Sequence, residues 1–117
     1  IPFIAFSDKS AGGRSNVMKL SGSRWVNVGK SNFSNSSAIT SSLYIYNDIP
    51  YVVFSYGNKN EIIVSKLKGP DWEIIGKTPI SNVFSKYTQM VVDKNSTPYI
   101  SFVDPKDNDV VKSMKFE

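Results

Sequence analysis

The sequence contains neither cysteine nor histidine among its 117 residues. The absence of cysteine excludes disulfides and thiolate metal sites, and the absence of histidine excludes imidazole metal sites and Ser-His-Asp triads. Alanine, leucine and glutamate, which favour helices, occur only three times each. We therefore expect almost no helix, no cofactor and no metal centre, and an enzyme is the least favoured class of function.

Long apolar runs and blocks of like charge are also missing. No stretch approaches the roughly 18 apolar residues of a membrane span, and no segment resembles a signal peptide. The net charge of +4 comes from 14 basic and 10 acidic residues, and the lysines are scattered along the chain. Scattered lysines indicate a solvated surface. We therefore expect no nucleic-acid partner and no membrane insertion.

Residues that favour β-structure are abundant. Valine and isoleucine together number 23, and phenylalanine, tyrosine and tryptophan together number 15. Such side chains fit the pleated, partly buried surface of a sheet. This composition predicts an all-β chain.

A tandem repeat runs through the whole sequence. Residues 1–8 (IPFIAFSD) recur at a spacing of 48 as residues 49–56 (IPYVVFSY) and 97–104 (TPYISFVD). A second block is found twice at an offset of 47, and residues 113–116 (SMKF) begin a third copy of it. The two complete copies are residues 17–22 (VMKLSG) with Trp25 and Gly29, and residues 64–69 (VSKLKG) with Trp72 and Gly76. The chain therefore divides into repeat 1 (residues 1–48), repeat 2 (49–96) and a partial repeat 3 (97–117).

Each repeat predicts four short strands, which are labelled A to D as in a propeller blade, so that each repeat begins with strand B and ends with strand A. Strand B follows the proline and is apolar at nearly every position, as in a strand that is covered on both faces. Strand D mixes polar and apolar residues and is expected at an exposed outer edge. The predicted ranges are 41–46 and 88–92 for A, 3–6, 51–54 and 99–103 for B, 16–20, 62–67 and 110–116 for C, and 25–28 and 72–75 for D.

A four-stranded antiparallel unit repeated at this period favours a β-propeller in which each repeat is one blade. A β-sandwich is the alternative, although a sandwich does not require the same aromatic residues to recur at fixed positions. The strand count gives about two and a half blades, whereas propellers close with roughly four to eight. We therefore expect partners that finish the ring. They are either further copies of the chain joined head to tail, or other propeller-blade chains if the sequence is a fragment, as its start at Ile1 suggests.

The repeated pattern, Pro-aromatic-x-x-Phe-Ser-Asp followed by Val-Met-Lys-Leu-x-Gly-Ser-x-Trp-Val-x-Val-Gly, resembles repeats of bacterial secreted or surface proteins that are thought to form β-propellers. The resemblance covers the whole chain and implies a binding or adhesion role outside the cell or at its surface. The second copy departs from the pattern, because Tyr56 stands where the others carry Asp8 and Asp104. The Gly-Ser-x-Trp turn also distantly resembles the Asp-box of sialidase propellers but lacks the aspartate, so no glycosidase activity is inferred.

Two other features have mainly structural interpretations. Asp104, Asp107 and Asp109 form the only acidic cluster in the sequence, but the glycine and the distal glutamate of an EF-hand loop are missing, which predicts a polar turn. Trp25 and Trp72 recur at one position of the repeat, which predicts packing between blades and not stacking on a sugar or a base.

The long loops give the candidate binding surface. In an up-and-down blade the B to C and D to A connections emerge on the same face, and in this sequence they are longer than the other two connections. Binding residues concentrate on such loops over a rigid scaffold. The candidate ligand contacts among their polar and aromatic side chains are Asp8, Arg14, Asn32, Asn35, Tyr56, Asn58 and Asp107.

Three functions remain open from the sequence. The leading hypothesis is a noncatalytic, lectin-like module that recognises a glycan or a protein through the long-loop face. The second is a structural component that completes a ring and has no ligand of its own. A glycosidase-like propeller enzyme is a distant third, since it would need carboxylates from separate blades facing one cleft.

Overall fold

The computed structural model describes residues 1–56, 61–81 and 88–116, and this part of the chain is built almost entirely of β-strands. Within these residues ten strands form three antiparallel sheets of three, four and three strands. A single turn of 3-10 helix, Lys9–Ala11, is the one helical element in the described ranges. The predicted all-β class is confirmed, and the three sheets do not close into a ring within these ranges.

Each strand pairs with the next one along the chain, so every sheet is a meander. The first sheet corresponds to predicted strands B, C and D, the second to A through D, and the third to A, B and C. The strands are β1 (Phe3–Asp8), β2 (Arg14–Ser21) and β3 (Arg24–Asn27); β4 (Ile39–Tyr46), β5 (Ile49–Tyr56), β6 (Glu61–Lys68) and β7 (Asp71–Ser81); and β8 (Thr88–Val92), β9 (Pro98–Asp104) and β10 (Val110–Lys115).

Short turns with left-handed backbone join several strands. Asn47 and Asp48, with φ of 50° and 62°, form the two-residue link between β4 and β5, which is the geometry that suits the twist of a hairpin. The longer link between β8 and β9 is closed by Asp93, whose carboxylate accepts hydrogen bonds from the backbone N–H groups of Asn95 and Thr97 at 2.9 and 3.0 Å. These turns fix the registers of the two hairpins, which begin at Tyr46↔Ile49 and Val92↔Pro98.

Two apolar interfaces hold the three sheets face to face. Interface I, between the first and second sheets, contains Val17, Val28, Ala38, Val52, Phe54, Tyr56 and Ile63. Interface II, between the second and third sheets, contains Tyr51, Val53, Ile62, Val64, Met90, Val92, Ile100, Phe102 and Phe116. Alternate residues of β5 and β6 point into the two interfaces, which is the expected result of a period of two.

Coverage on both faces, predicted for every strand B, occurs in β5. Each residue of β5 after Ile49 is buried, whereas every residue of β1 and alternate residues of β9 are at least partly exposed. The prediction was too broad for β1 and β9, because the first and third sheets each have one neighbouring sheet in the described chain. Hydrogen bonds between hydroxyl groups also join the first and second sheets. The Thr40 hydroxyl lies 2.8 Å from the Ser7 hydroxyl and 2.9 Å from the Ser15 hydroxyl.

An irregularity in strand pairing recurs four residues after the tryptophan of repeats 1 and 2. In the second sheet the pairing of β6 with β7 jumps between Val64↔Ile75 and Ile62↔Ile80, so that residues 76–79 loop out. In the first sheet the N–H of Val28 donates to the carbonyl of Val17 at 2.9 Å, and the N–H of Phe33 donates to Ser15 at 3.1 Å. Residues 29–32 therefore loop out at the same repeat position, 47 residues earlier.

The described chain has no helix of the length and apolar character needed to cross a membrane.

Candidate functional site

A cleft of about 760 Å³ lies at interface I, where the segment after β3 meets the start of β7. Its volume falls in the range of roughly 300 to 1,000 Å³ that is usual for small-molecule sites. We call it the flank cleft, because it runs along the side of the first two sheets. It is lined by Arg14, Lys30, Ser31, Asn32, Phe33, Ser34, Asn35, Asp71 and Trp72.

Side-chain to backbone hydrogen bonds hold the wall formed by residues 30–35. Asn32 adopts a left-handed backbone with φ of 53°, a conformation that asparagine tolerates better than most residues. Its N–H donates to the side-chain oxygen of Asn16 at 2.8 Å, and the Asn16 amide donates in return to the Asn32 side chain at 2.8 Å. The Ser34 hydroxyl accepts from the N–H of Ser15 at 2.9 Å. The wall is therefore anchored to β2 at several points.

An aromatic pair forms the apolar part of the cleft. The rings of Phe33 and Trp72 stack with centroids 4.5 Å apart and an angle of 21° between their planes. Trp72 also donates its indole N–H to the carbonyl of Val28 at 3.2 Å, and Phe33 meets Phe54 edge to face at 5.9 Å. The packing predicted for both tryptophans is observed for Trp72, which packs between the first and second sheets, whereas Trp25 is 43 % exposed. The Trp72 ring also lines the cleft.

Tyr56 supports the cleft from behind. Its hydroxyl oxygen accepts a hydrogen bond of 2.8 Å from the backbone N–H of Asn35, and the residue is buried. Burial raises the pKa of this phenol above 10.0, the Asn35 hydrogen bond opposes that rise, and the nearby Glu61 carboxylate adds to it. The phenol is therefore neutral at physiological pH and positions the backbone of Asn35.

Three of the seven sequence-predicted contacts, Arg14, Asn32 and Asn35, line the flank cleft together. Asp8 instead caps the 3-10 turn, with its Oδ1 accepting from the N–H and the hydroxyl of Ser10 at 2.9 and 2.6 Å. Asp107 belongs to the turn between β9 and β10 in the third sheet. Asn58 lies outside the described residues.

The course of the connection between β3 and β4 explains this distribution. Near its start, the N–H of Lys30 donates to the carbonyl of Pro70 at 2.8 Å, and at its end the N–H of Ala38 donates to Gly13 at 2.9 Å. The connection therefore runs along the flank of the sheets as well as across their ends. The sequence prediction recognised this loop but missed the contribution of Lys30, Phe33, Asp71 and Trp72. Phe33, an aromatic residue in a Ser/Asn-rich segment, was the available signal.

A lysine of the same chain pairs with two of the three carboxylates in the acidic cluster of the third sheet. The Lys112 ammonium lies 2.9 Å from Asp104 Oδ2 and 3.2 Å from Asp107 Oδ2. The Asp104 carboxylate also accepts from the N–H of Lys106 at 3.0 Å, which repeats the turn that Asp8 makes in the first sheet. Within the described ranges no three metal-binding side chains converge on one point. The predicted interpretation of this segment as a polar turn agrees with these contacts.

Replacing Lys112 by methionine is expected to raise the pKa of Asp104. The hydrogen bond from Lys112 is the main cause that holds this pKa below 3.8, and partial burial opposes it. A carboxyl with a lowered folded pKa stabilises the fold above pH 3.8, and that contribution is lost as pH falls through the folded pKa. Lys112→Met should therefore lower stability at pH 7 and weaken the loss of stability on acidification.

NMR titration of the Asp104 carboxyl and urea unfolding between pH 2 and pH 7 measure the two effects. The control is Lys68→Met, which removes an exposed pair in which Lys68 and Glu73 are 3.4 Å apart. Exposed pairs contribute little to stability. An Asp104 pKa that is unchanged in Lys112→Met would contradict the assignment.

Comparisons of the chain with protein-family models, curated proteins and solved structures find no match. The functional assignment therefore depends on the geometry of the chain itself.

Proposed function

We propose that the chain is a noncatalytic carbohydrate-binding module built of β-propeller blades, and that the flank cleft is its binding site. The blade assignment is supported by three meander sheets that stack face to face through the same repeat positions. The carbohydrate assignment is supported by one observation above all, the stacked pair of Phe33 and Trp72 beside polar side chains in a cleft of suitable size.

The lining matches the two kinds of surface that a sugar presents. The C–H groups of a pyranose ring pack on aromatic carbon, which Phe33 and Trp72 supply. Its hydroxyl groups need planar donors and acceptors, and the Arg14 guanidinium and the Asn35 carboxamide supply them. Both Arg14 and Asn35 are exposed, whereas the Asn32 carboxamide already bonds to Asn16. Arg14 and Asn35 are therefore the proposed polar contacts.

Catalysis is not part of the proposal. Glycoside hydrolysis by the usual route requires two carboxyl groups on either side of the scissile bond. Among the described residues that line the flank cleft, Asp71 alone carries a carboxyl group. Binding without turnover is the activity that this set of side chains supports.

Arg14→Gln and Asn35→Ala are expected to weaken glycan binding by about fivefold to a hundredfold each, the range for loss of one hydrogen bond. Screening the chain on a glycan array identifies a ligand, and calorimetry then measures the affinity of each variant. The matched control is Asn108→Ala, in the turn between β9 and β10, which should bind as the unchanged chain does.

The urea midpoints of Arg14→Gln and Asn35→Ala should match that of the unchanged chain, since both side chains are exposed. Asn108→Ala should keep its binding but lower its midpoint slightly, because Asn108 has a left-handed backbone with φ of 51°. An array with no signal for any glycan, or equal loss of binding in Asn108→Ala, would contradict the carbohydrate proposal.

A structural role in assembly is the second candidate, favoured by apolar residues exposed on the outer sheets. Trp25 is 43 % exposed and Val111 is 68 % exposed. In this role the chain contributes blades to a ring and the partners are other blades, from further copies or from separate chains. An array with no signal would leave this as the favoured function. The expected extracellular or cell-surface location applies to both candidates as a prediction.

A further inference from the structure

Interfaces I and II use the same repeat positions to join one sheet to the next. A Cβ on Gly29 would lie 2.6 Å from Leu67 Cδ1, and a Cβ on Gly76 would lie 2.9 Å from Phe116 Cδ2. In both cases the glycine follows the tryptophan of its own repeat by four residues. The apolar side chain that contacts it comes from the next sheet, where it is the last residue of predicted strand C. The two contacts therefore define a rule for how a sheet of this repeat docks on its predecessor.

Trp72 completes the docking in interface I. It stacks on Phe33 and donates its indole N–H to the carbonyl of Val28, both of which belong to the preceding sheet. Leu67 and Trp72 are direct cross-strand partners, so they approach the preceding sheet side by side. A docked sheet thus offers a Leu-Trp pair, and its predecessor offers a glycine, a carbonyl and an aromatic ring.

The first sheet has the same pair on the side turned away from the second sheet, which we call the far face. Leu20 and Trp25 are cross-strand partners, as are Ile4 and Met18. Strand alternation places all four on this face, because the neighbouring residues Phe3, Ala5 and Val17 pack into interface I. The apolar part of the far face consists of Ile4, Phe6, Met18, Leu20 and Trp25.

The far face is only partly covered in the described chain, because Phe6, Met18 and Leu20 are half-buried and the other two apolar residues are exposed. Ile4 and Trp25 are 42 % and 43 % exposed, whereas Val52, which occupies the repeat position of Ile4 in the second sheet, is completely buried. Large apolar side chains clustered on one exposed face mark an interaction site. The chemistry of interface I indicates what would cover them.

We propose that the far face of the first sheet docks a further sheet of the same repeat, one that carries the glycine-ended fourth strand. Leu20 would pack on its glycine, and Trp25 would stack on its aromatic residue and donate to the carbonyl just before that glycine. The interface would continue the series that interfaces I and II begin. This inference rests on the blade proposal but not on carbohydrate binding.

A second copy of the chain does not offer the required surface within the described residues. Gly29 and Gly76 already receive Leu67 and Phe116, so both glycine-bearing faces are occupied. In the described ranges the third sheet consists of β8, β9 and β10 and includes no fourth strand that could supply the glycine. The proposed occupant is a further sheet of the same repeat whose glycine is not already in contact with Leu67 or Phe116.

The proposal can be tested by adding a second copy of repeat 1 before the chain, because the added copy carries its own glycine-bearing surface. The test protein is the full chain preceded by a second copy of residues 1–48, in which Asp48 is joined to Ile1 and so reproduces the native Asp48-Ile49 link. All tryptophans except Trp25 of the original copy are replaced by phenylalanine. Docking should lower the acrylamide quenching of Trp25 about twofold or more relative to the 117-residue Trp72→Phe chain, because an interface excludes water and solutes.

Two alanine variants of the added copy provide matched controls. Gly29→Ala removes the space that Leu20 would fill and should restore the quenching of Trp25. Gly22→Ala introduces the same left-handed strain, with φ of +63°, but a Cβ there meets nothing within 4 Å. The Gly22→Ala duplication should therefore keep Trp25 protected. Equal quenching in the duplication and in the 117-residue chain would overturn the proposal.

Light scattering and Trp25 quenching of the 117-residue Trp72→Phe chain provide a measurement that does not depend on the duplication folding. A monomer whose Trp25 is accessible at every concentration supports an open far face. A dimer in which Trp25 is protected identifies a second copy as the occupant and overturns the proposal. Calorimetry of the unchanged 117-residue chain, which keeps Trp72 in the flank cleft, with an array-selected glycan shows separately whether carbohydrate binding has failed.

Discussion

Gly29→Ala is expected to lower the free energy of unfolding by about 2 to 4 kcal/mol, the sum of left-handed strain and overpacking. Gly29 has φ of +68°, and a Cβ there would lie 2.6 Å from Leu67 Cδ1, 3.0 Å from Trp72 Nε1 and 3.1 Å from the Pro70 carbonyl oxygen. The last of these atoms belongs to the backbone, so a side-chain adjustment cannot relieve the whole clash. Urea unfolding monitored by circular dichroism measures the loss.

Gly22→Ala separates the two causes of that loss. Its φ of +63° is similar, but a Cβ there meets no atom within 4 Å, so only the backbone strain of about 1 to 2 kcal/mol is expected. In a Leu67→Ala background the additional cost of Gly29→Ala should fall toward the cost of Gly22→Ala, as in a double-mutant cycle between residues in contact. Equal losses for Gly29→Ala and Gly22→Ala would show that the docking contact carries no stability.

Phe54→Ala is expected to cost about 3 to 5 kcal/mol, which is usual for removing a fully buried phenylalanine. Phe54 is 2 % exposed at the centre of interface I. Its ring meets Phe33 and Tyr56 edge to face, at centroid distances of 5.9 and 5.4 Å. The cavity would adjoin the aromatic pair of the flank cleft, so glycan affinity should fall together with stability.

Phe6→Ala is the matched control, because Phe6 occupies the repeat position of Phe54 in the first sheet. Phe6 lies on the far face and is only partly buried, so a smaller loss of about 1 to 1.5 kcal/mol is expected from the lost burial. The difference between the two variants measures what a neighbouring sheet contributes. Similar losses at Phe6 and Phe54 would contradict an open far face.

Interface I connects stability with function. It holds the first and second sheets together, and it also supplies Phe33 and Trp72 to the flank cleft. A variant that loosens the interface without unfolding the sheets would therefore lose binding before it loses strand content. Arg14→Gln and Asn35→Ala should do the opposite, which allows the two kinds of variant to be distinguished by comparing calorimetry with urea unfolding.

The strands were accessible from the sequence because each repeat carries the same local signals. Pro50 and Pro98 precede the apolar strand in both later repeats, and observed β8 coincides with the predicted strand at residues 88–92. Differences lie at strand ends. β5 extends to Ile49 and Tyr56 because its ladder pairs continue to Tyr46↔Ile49 and Tyr56↔Glu61. The largest difference is β7, which is predicted at residues 72–75 and observed at Asp71–Ser81. Local pattern and pairing agree in this chain, which makes the strands predictable.

The flank cleft was only partly accessible. Arg14, Asn32 and Asn35 were selected as polar loop residues, but Asp8 and Tyr56 were selected by the same criterion and have structural roles as a cap and a support. A polar side chain in a loop bonds either to its own backbone or to a ligand, and the sequence does not distinguish the two. The choice depends on where neighbouring N–H groups lie after folding.

The sequence by itself determined the all-β class, the repeat and the meander order of the strands, because these follow from side-chain composition, a fixed period and short connections. Tertiary structure alone decided which sheet faces meet, which loop crosses the flank and where Trp72 and Phe33 stack. Those outcomes depend on contacts between residues far apart in the chain, such as Leu67 on Gly29. They also explain why Trp25, identical in repeat position to Trp72, is left exposed, since no sheet packs on its face within the described residues.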